Sequence, residues 1–104
     1  MATGTFATIM DETITSSKAC KPFDATGFRR MSLLGRFEGP ADSTFKIEIN
    51  NEGLLVAQEF LKVNESGWLN VHKEYTVYGP HIGVVVYHPA TAGLKVKLMA
   101  YTGG

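Results

Sequence analysis

The sequence predicts an all-β chain, a two-sheet antiparallel β-sandwich with about eight strands, on three observations. Turn-forming clusters recur every ~10–15 residues, the spacing of a sandwich. The segments between them alternate apolar and polar side chains. No βαβ rhythm is present, which argues against a parallel sheet. The turn clusters are Asp24-Ala25-Thr26-Gly27, Gly39-Pro40-Ala41-Asp42, Asn50-Asn51-Glu52-Gly53, Asn64-Glu65-Ser66-Gly67, Gly79-Pro80 and Pro89-Ala90-Thr91-Ala92-Gly93. In these, Gly permits positive φ, Pro fixes φ, and Asn or Asp closes a turn with its own side chain.

Thr5–Met10 and Glu12–Ser17 are Thr-rich and read as two strands or one long bent strand. Phe28–Phe37 sets Met31, Leu33 and Phe37 against Arg30, Ser32 and Arg36. Thr44–Asn50 shows the cleanest alternation, with Phe45, Ile47 and Ile49 on one face and Thr44, Lys46 and Glu48 on the other. Leu54–Val63 contains helix-compatible residues but reads as a strand, because a hairpin with Thr44–Asn50 needs no further layer. Trp68–Val77 reads as a strand with a bend or bulge near His72-Lys73. His81–His88 places Ile82, Val84 and Val86 opposite Val85 and Tyr87. Leu94–Tyr101 places Leu94, Val96, Leu98 and Ala100 opposite Lys95, Lys97, Met99 and Tyr101.

The chain of 104 residues has the size of one domain and is expected to form one over residues 1–104. Such a length buries roughly 65% of the unfolded surface, enough for a core without staples. Ten basic residues balance ten acidic ones, so there is no global attraction to nucleic acid, and little charge repulsion to discourage self-association. The single cysteine, Cys20, excludes an intrachain disulfide and reads as a small buried or edge residue. Met1–Phe6 has neither the basic region nor the apolar core of a signal peptide, so cytoplasmic synthesis without one is expected, and a place in a virion is compatible with that. No apolar run approaches the ~20 residues needed to span a bilayer, and no membrane partner is expected.

No catalytic, metal or cofactor signature stands out, and the chain is not expected to be an enzyme. His72, His81 and His88 are scattered without ligand spacing and read as surface or edge histidines. The acidic residues are dispersed, mostly in turns, and the glycines do not form a phosphate-binding run. Arg30, Arg36, Lys46, Lys95 and Lys97 read as solvated faces with cross-strand pairs.

The aromatic and apolar residues are more informative. Trp68, Tyr75 and Tyr78 form a candidate ligand platform, because sugar rings stack on such side chains. An isolated sandwich should have wet outer rows, yet several outer rows here are apolar. Phe28, Leu34, Val85, Tyr87, Met99 and Tyr101 therefore form a candidate interface, with a second copy of the chain as the expected partner and a protein or glycan as the other option.

Phe23–Leu33, Val77–Val86 and the closing Leu94–Tyr101 segment resemble jelly-roll modules of the galactose-binding-like type, in rhythm over about residues 20–101. The same rhythm is similar to small jelly-roll virion proteins of tailed phages. The second resemblance implies a structural, self-associating role. The first implies a carbohydrate- or ligand-binding module. Neither carries over a ligand residue.

Overall fold

The computed structural model describes residues 4–88 and 92–102, and among these it contains nine strands and no helix. They are β1 (Phe6–Ile14), β2 (Lys18–Ala19), β3 (Phe23–Asp24), β4 (Arg30–Glu38), β5 (Thr44–Asn51), β6 (Leu54–Lys62), β7 (Trp68–Thr76), β8 (His81–Tyr87) and β9 (Leu94–Tyr101). One antiparallel sheet, sheet A, runs β1-β9-β4-β7; the other, sheet B, runs β2-β8-β5-β6, with β3 also on β8.

β2 and β3 are two halves of one edge strand. Both pair with β8, and Cys20 between them donates its N–H to the Val84 carbonyl at 2.8 Å. Pro22, which has no N–H to give, interrupts the ladder. Counted this way the fold is an eight-stranded jelly roll. The expected number is reached by a different route. The two Thr-rich segments form one strand, β1, which ends at Ile14 rather than Ser17, and the short edge pieces β2 and β3 lie where the alternation predicts no strand. Leu54–Lys62 is a strand, as the hairpin argument required. The bend expected near His72-Lys73 is absent: β7 pairs with β4 from Arg30↔Thr76 to Glu38↔Trp68 without a shift. Part of the turn expected at Pro89–Gly93 lies outside the described residues.

The core is the set of inward rows. Met31, Leu33 and Phe37 of β4 and Leu94, Val96, Leu98 and Ala100 of β9 face Phe45, Ile47 and Ile49 of β5 and Ile82, Val84 and Val86 of β8. Phe37 and Phe45 meet across the two sheets with ring centroids 4.4 Å apart. Each open flank of the sandwich is stitched by polar groups. On one, Tyr75 of β7 donates its hydroxyl to Glu59 of β6 at 3.1 Å, and Lys73 lies 3.9 Å from the same carboxylate. On the other, a bulge in β1 between Thr8 and Met10 takes Ile9 out of the ladder. Its carbonyl accepts the Lys21 N–H at 2.9 Å, and Lys18 pairs with Glu12 nearby.

The β5–β6 hairpin governs sheet B. Its two central residues, Glu52 and Gly53, have φ of 54° and 80°, the positive pair a type I′ turn requires. Asn51, buried just before it, ties this turn to the one between β7 and β8. Its side chain accepts the Tyr78 N–H and donates to the carbonyls of Gly79 at 3.0 Å and His81 at 3.1 Å. The histidine expectation needs one correction. His88 follows β8, is buried, and donates its backbone N–H to Ser17 Oγ at 3.0 Å.

Replacing Asn51 by Ala leaves the Tyr78 N–H and the Gly79 carbonyl without their partner and leaves the His81 carbonyl only the Glu52 N–H, 2.9 Å away. Asn51→Ala is expected to lower the unfolding free energy by about 2–3 kcal/mol in urea denaturation. An effect within experimental error would show that water replaces the side chain.

Candidate functional site

The outer face of sheet B carries an open groove of about 590 Å³, lined among others by Ser17, Thr44, Lys46, Phe60, Lys62 and Tyr87. Its floor is one cross-strand row. Lys46 of β5 is opposite Tyr87 of β8 on one side and Phe60 of β6 on the other. Its ammonium lies 4.7 Å from the Tyr87 ring centre and 5.8 Å from that of Phe60, within reach of both faces. It also pairs with Glu48 Oε2 at 2.8 Å. The hydrogen bond from Lys46, helped by its charge and by the Tyr87 hydroxyl, holds the Glu48 carboxyl below the usual glutamate range. Two aromatic rings thus stand two strand spacings apart, about 10 Å, with an ammonium and a carboxylate between them.

Phe60 is outside because of a bulge. Asn50↔Leu55 and Asn51↔Leu54 pair next to the turn, but Ile49 pairs with Ala57, so Val56 is an extra residue. Beyond the bulge the faces are exchanged. Ala57, Glu59 and Leu61 join the inner row opposite Ile49, Ile47 and Phe45, while Phe60 stands on the outer face and remains 78% exposed. A carboxylate has gone in and an aromatic ring out, the reverse of what burial favours. Such local violations concentrate at functional positions.

The candidate interface is split by the fold. Val85 and Tyr87 are on the outer face of sheet B, whereas Leu34, Met99 and Tyr101 are on the outer face of sheet A. Phe28 lies in the β3–β4 connection. The six residues therefore form no single surface. On sheet A, Leu34, Met99 and Tyr101 join Phe6, which was not singled out in the sequence, and His72, which reads there as a surface or edge histidine. The Tyr101 ring centre is 6.3 Å from Phe6 and 6.5 Å from His72, and the Tyr101 hydroxyl is 3.2 Å from His72 Nε2. Of the basic residues beside them, Lys95 lies 3.8 Å from Glu38 across the strands, as expected, while Arg36 donates to the same carboxylate at 2.9 Å within β4.

The candidate platform is dispersed as well. Trp68 lies at the end of β7 on the outer face of sheet A, with Arg36 5.1 Å above its ring. Tyr75, seven residues on, points to the opposite face, where burial and the neighbouring Glu59 raise its hydroxyl pKa. Tyr78 is exposed in the following turn. Only Tyr87 of the residues singled out lines the groove. Phe60 and Lys46 were missed as site residues: Lys46 reads in the sequence as part of a solvated basic face, and Phe60 was not singled out.

Among the described residues no group of three or more His, Cys, Asp or Glu side chains is placed to hold a metal ion. Burial, with a smaller contribution from Glu12, pushes the Cys20 thiol up to about 12, so it is a poor nucleophile. At the far end of sheet B, a second groove of about 500 Å³ is bordered by Asp24, Asn50 and His81. There the Glu52 carboxylate accepts the His81 backbone N–H at 2.6 Å and meets its ring Nδ1 at 2.9 Å. Gly79 leaves room for that carboxylate, since a Cβ at this position would come within 2.6 Å of Glu52 Cγ.

No protein-family model matches the chain, and no curated protein is similar to it in sequence. Solved structures share its fold. TmCBM61 in complex with β-1,4-galactotriose superposes with a TM-score of 0.62 at 12% identity, over 94% of this chain and 69% of that one. The C-terminal CBM6 of LamC from Zobellia galactanivorans gives 0.59 at 12% identity, over 95% and 91%. A Bacillus endospore appendage protein that forms disulfide-linked pili gives 0.57 at 10% identity, over 95% and 86%. The match to dimeric latent PorU from Porphyromonas gingivalis spans only 12% of that chain. The β-sandwich likeness to carbohydrate-binding modules agrees with the galactose-binding-like resemblance read from the sequence.

The His81–Glu52 pair has a defined pH signature. The hydrogen bond and charge of Glu52 raise the His81 pKa above 6.5, and His81 lowers that of Glu52. The histidine's contribution is full below its unfolded value of about 6.5 and is lost as pH rises through its raised folded value. The glutamate's contribution is lost as pH falls through its lowered value. As pH rises from about 6.5 through the raised His81 value, melting temperature is expected to decline more steeply in the native protein than in Glu52→Gln. Equal declines would show that the pair contributes nothing.

Proposed function

We propose that this chain is a non-enzymatic carbohydrate-binding module that holds a glycan chain on the outer face of sheet B. The observation that carries this is the row Tyr87–Lys46–Phe60, with Phe60 turned outward by the bulge at Val56. Aromatic rings cover the apolar faces of sugars, and the groups between the rings hydrogen-bond to hydroxyls. Lys46 donates and Glu48 accepts, and Gln58, opposite Glu48, does both. The groove is open, which suits an internal stretch of a glycan, and the ring separation suits sugars one unit apart from adjacent. The fold shared with modules named as carbohydrate-binding supports the reading.

A structural role through self-association is the second reading. It is favoured by the fold shared with a pilus-forming protein and by the apolar cluster of Leu34, Met99 and Tyr101 on the opposite face.

A glycan array followed by calorimetric titration of the best oligosaccharide tests the first reading. Tyr87→Ala and Phe60→Ala are each expected to weaken binding by about 5- to 30-fold, the worth of one stacked ring. Tyr101→Ala, on the opposite face, is expected to leave it unchanged. Binding that survives both groove substitutions, or no glycan bound at all, contradicts the proposal.

A further inference from the structure

The jelly roll has four edge strands, and they differ in how they are protected against pairing with another chain. The β2–β3 edge is in two short pieces interrupted by Pro22. β1 carries a bulge in mid-strand. β7 presents His72, Lys73 and Glu74 in succession. Short strands, proline, bulges and charge are the ordinary guards of an edge. β6 has few of them. Leu54, Leu55, Val56 and Phe60 are exposed by 71%, 48%, 40% and 78%. Its two charges do not guard the middle of the strand: Glu59 is turned inward to Tyr75, and Lys62 is the last residue. The bulge at Val56 lies towards the turn and leaves Ala57–Lys62 regular.

We propose that β6 pairs antiparallel with β6 of a second copy, joining two copies of sheet B into one continuous sheet. A two-fold axis perpendicular to the sheet keeps both outer faces on the same side, and then it passes midway between one residue and the same residue of the second copy. Centring it on Glu59 would set two carboxylates opposite each other. Centring it on Gln58 would run the ladder through the bulge. Centring it on Phe60 avoids both. Phe60 then faces its own symmetry mate, an aromatic cross-strand pair, and Gln58 faces the partner copy's Lys62 on the outer face without meeting a like charge.

The consequence deepens the carbohydrate reading, on which it rests for what is bound. Lys46 is in register with both Phe60 and Tyr87, so the joined sheet carries the row Tyr87, Lys46, Phe60, then Phe60, Lys46 and Tyr87 of the second copy. Six side chains at strand spacing span about 24 Å. Two grooves become one platform for a longer glycan. The paired segment is only five residues long, so the dimer is weak and forms with rising concentration.

Sedimentation velocity without sugar, from micromolar to millimolar protein, tests the pairing. The native chain is expected to pass from monomer to dimer. Gln58→Lys sets an ammonium opposite Lys62 at both symmetric positions and is expected to weaken the dimer at least ~5-fold. Within the monomer that lysine faces Glu48, so the fold is kept. Adding Lys62→Glu to Gln58→Lys is expected to restore the dimer. A monomer at millimolar concentration, or a dimer indifferent to Gln58→Lys, overturns the proposal. A chain that binds glycan as a strict monomer loses the pairing and keeps the carbohydrate reading. One that pairs as described and binds no glycan keeps the pairing and loses the carbohydrate reading.

Discussion

The register of β5 against its two neighbours is the constraint on which sheet B depends. In a strand the side-chain period is two, so a slip of one residue exchanges every inward and outward position. Phe45, Ile47 and Ile49 share the inward row only in the register that sets Ile47 beside Val86 and Ile49 beside Val84. That same register sets Lys46 beside Tyr87. On the other side the tight Glu52-Gly53 turn fixes the first pairs of β6, and the bulge at Val56 resets the rest. The turn places a non-glycine residue, Glu52, at positive φ, a conformation that costs energy outside Gly, Asn and Asp. Its carboxylate recovers part of this by binding the backbone and ring of His81, while Asn51 holds the same turn from beneath. Core, turn and groove thus share one short stretch of chain.

The two outer faces follow from this arrangement. Sheet B presents a row in which aromatic rings alternate with a charged pair. Sheet A presents an apolar and aromatic cluster around Tyr101 next to a neutralised charge cluster around Glu38. Both flanks between the sheets are stitched by groups that strands ordinarily turn to solvent, Glu59 and Lys73 on one side and Glu12 and Lys18 on the other. Turning Glu59 inward closes a flank and exposes Phe60 in the same step. The stability of the sandwich and the shape of the groove are therefore two results of one bulge.

The alternation of β4, β5, β8 and β9 was legible in the sequence because in each strand one row is apolar, apart from Asn51 at the end of β5, and the other carries polar side chains. β2 and β3 were not, since two-residue strands have no period to read. Their existence depends on β8 offering an edge and on Ile9 offering a carbonyl, both of which are tertiary facts. The groove was half legible. Tyr87 was marked as an outer-row aromatic, but as part of an interface whose members the fold divides between two sheets. Phe60 was hidden by the bulge at Val56, because strict alternation from Leu54 does not say where a register is reset. Trp68, Tyr75 and Tyr78 are close in sequence yet diverge, because seven residues along a strand change face and a turn then carries the chain away.

The central claim is that the row Tyr87–Lys46–Phe60 is the surface that holds a glycan. The most direct measurement is the backbone amide spectrum of the labelled protein titrated with a bound oligosaccharide. The account predicts that the shifts map to the outer face of sheet B, around Thr44–Glu48, Gln58–Lys62 and Val85–Tyr87. Shifts confined to the Tyr101 face of sheet A, or to the His81 end of the sandwich, would contradict it.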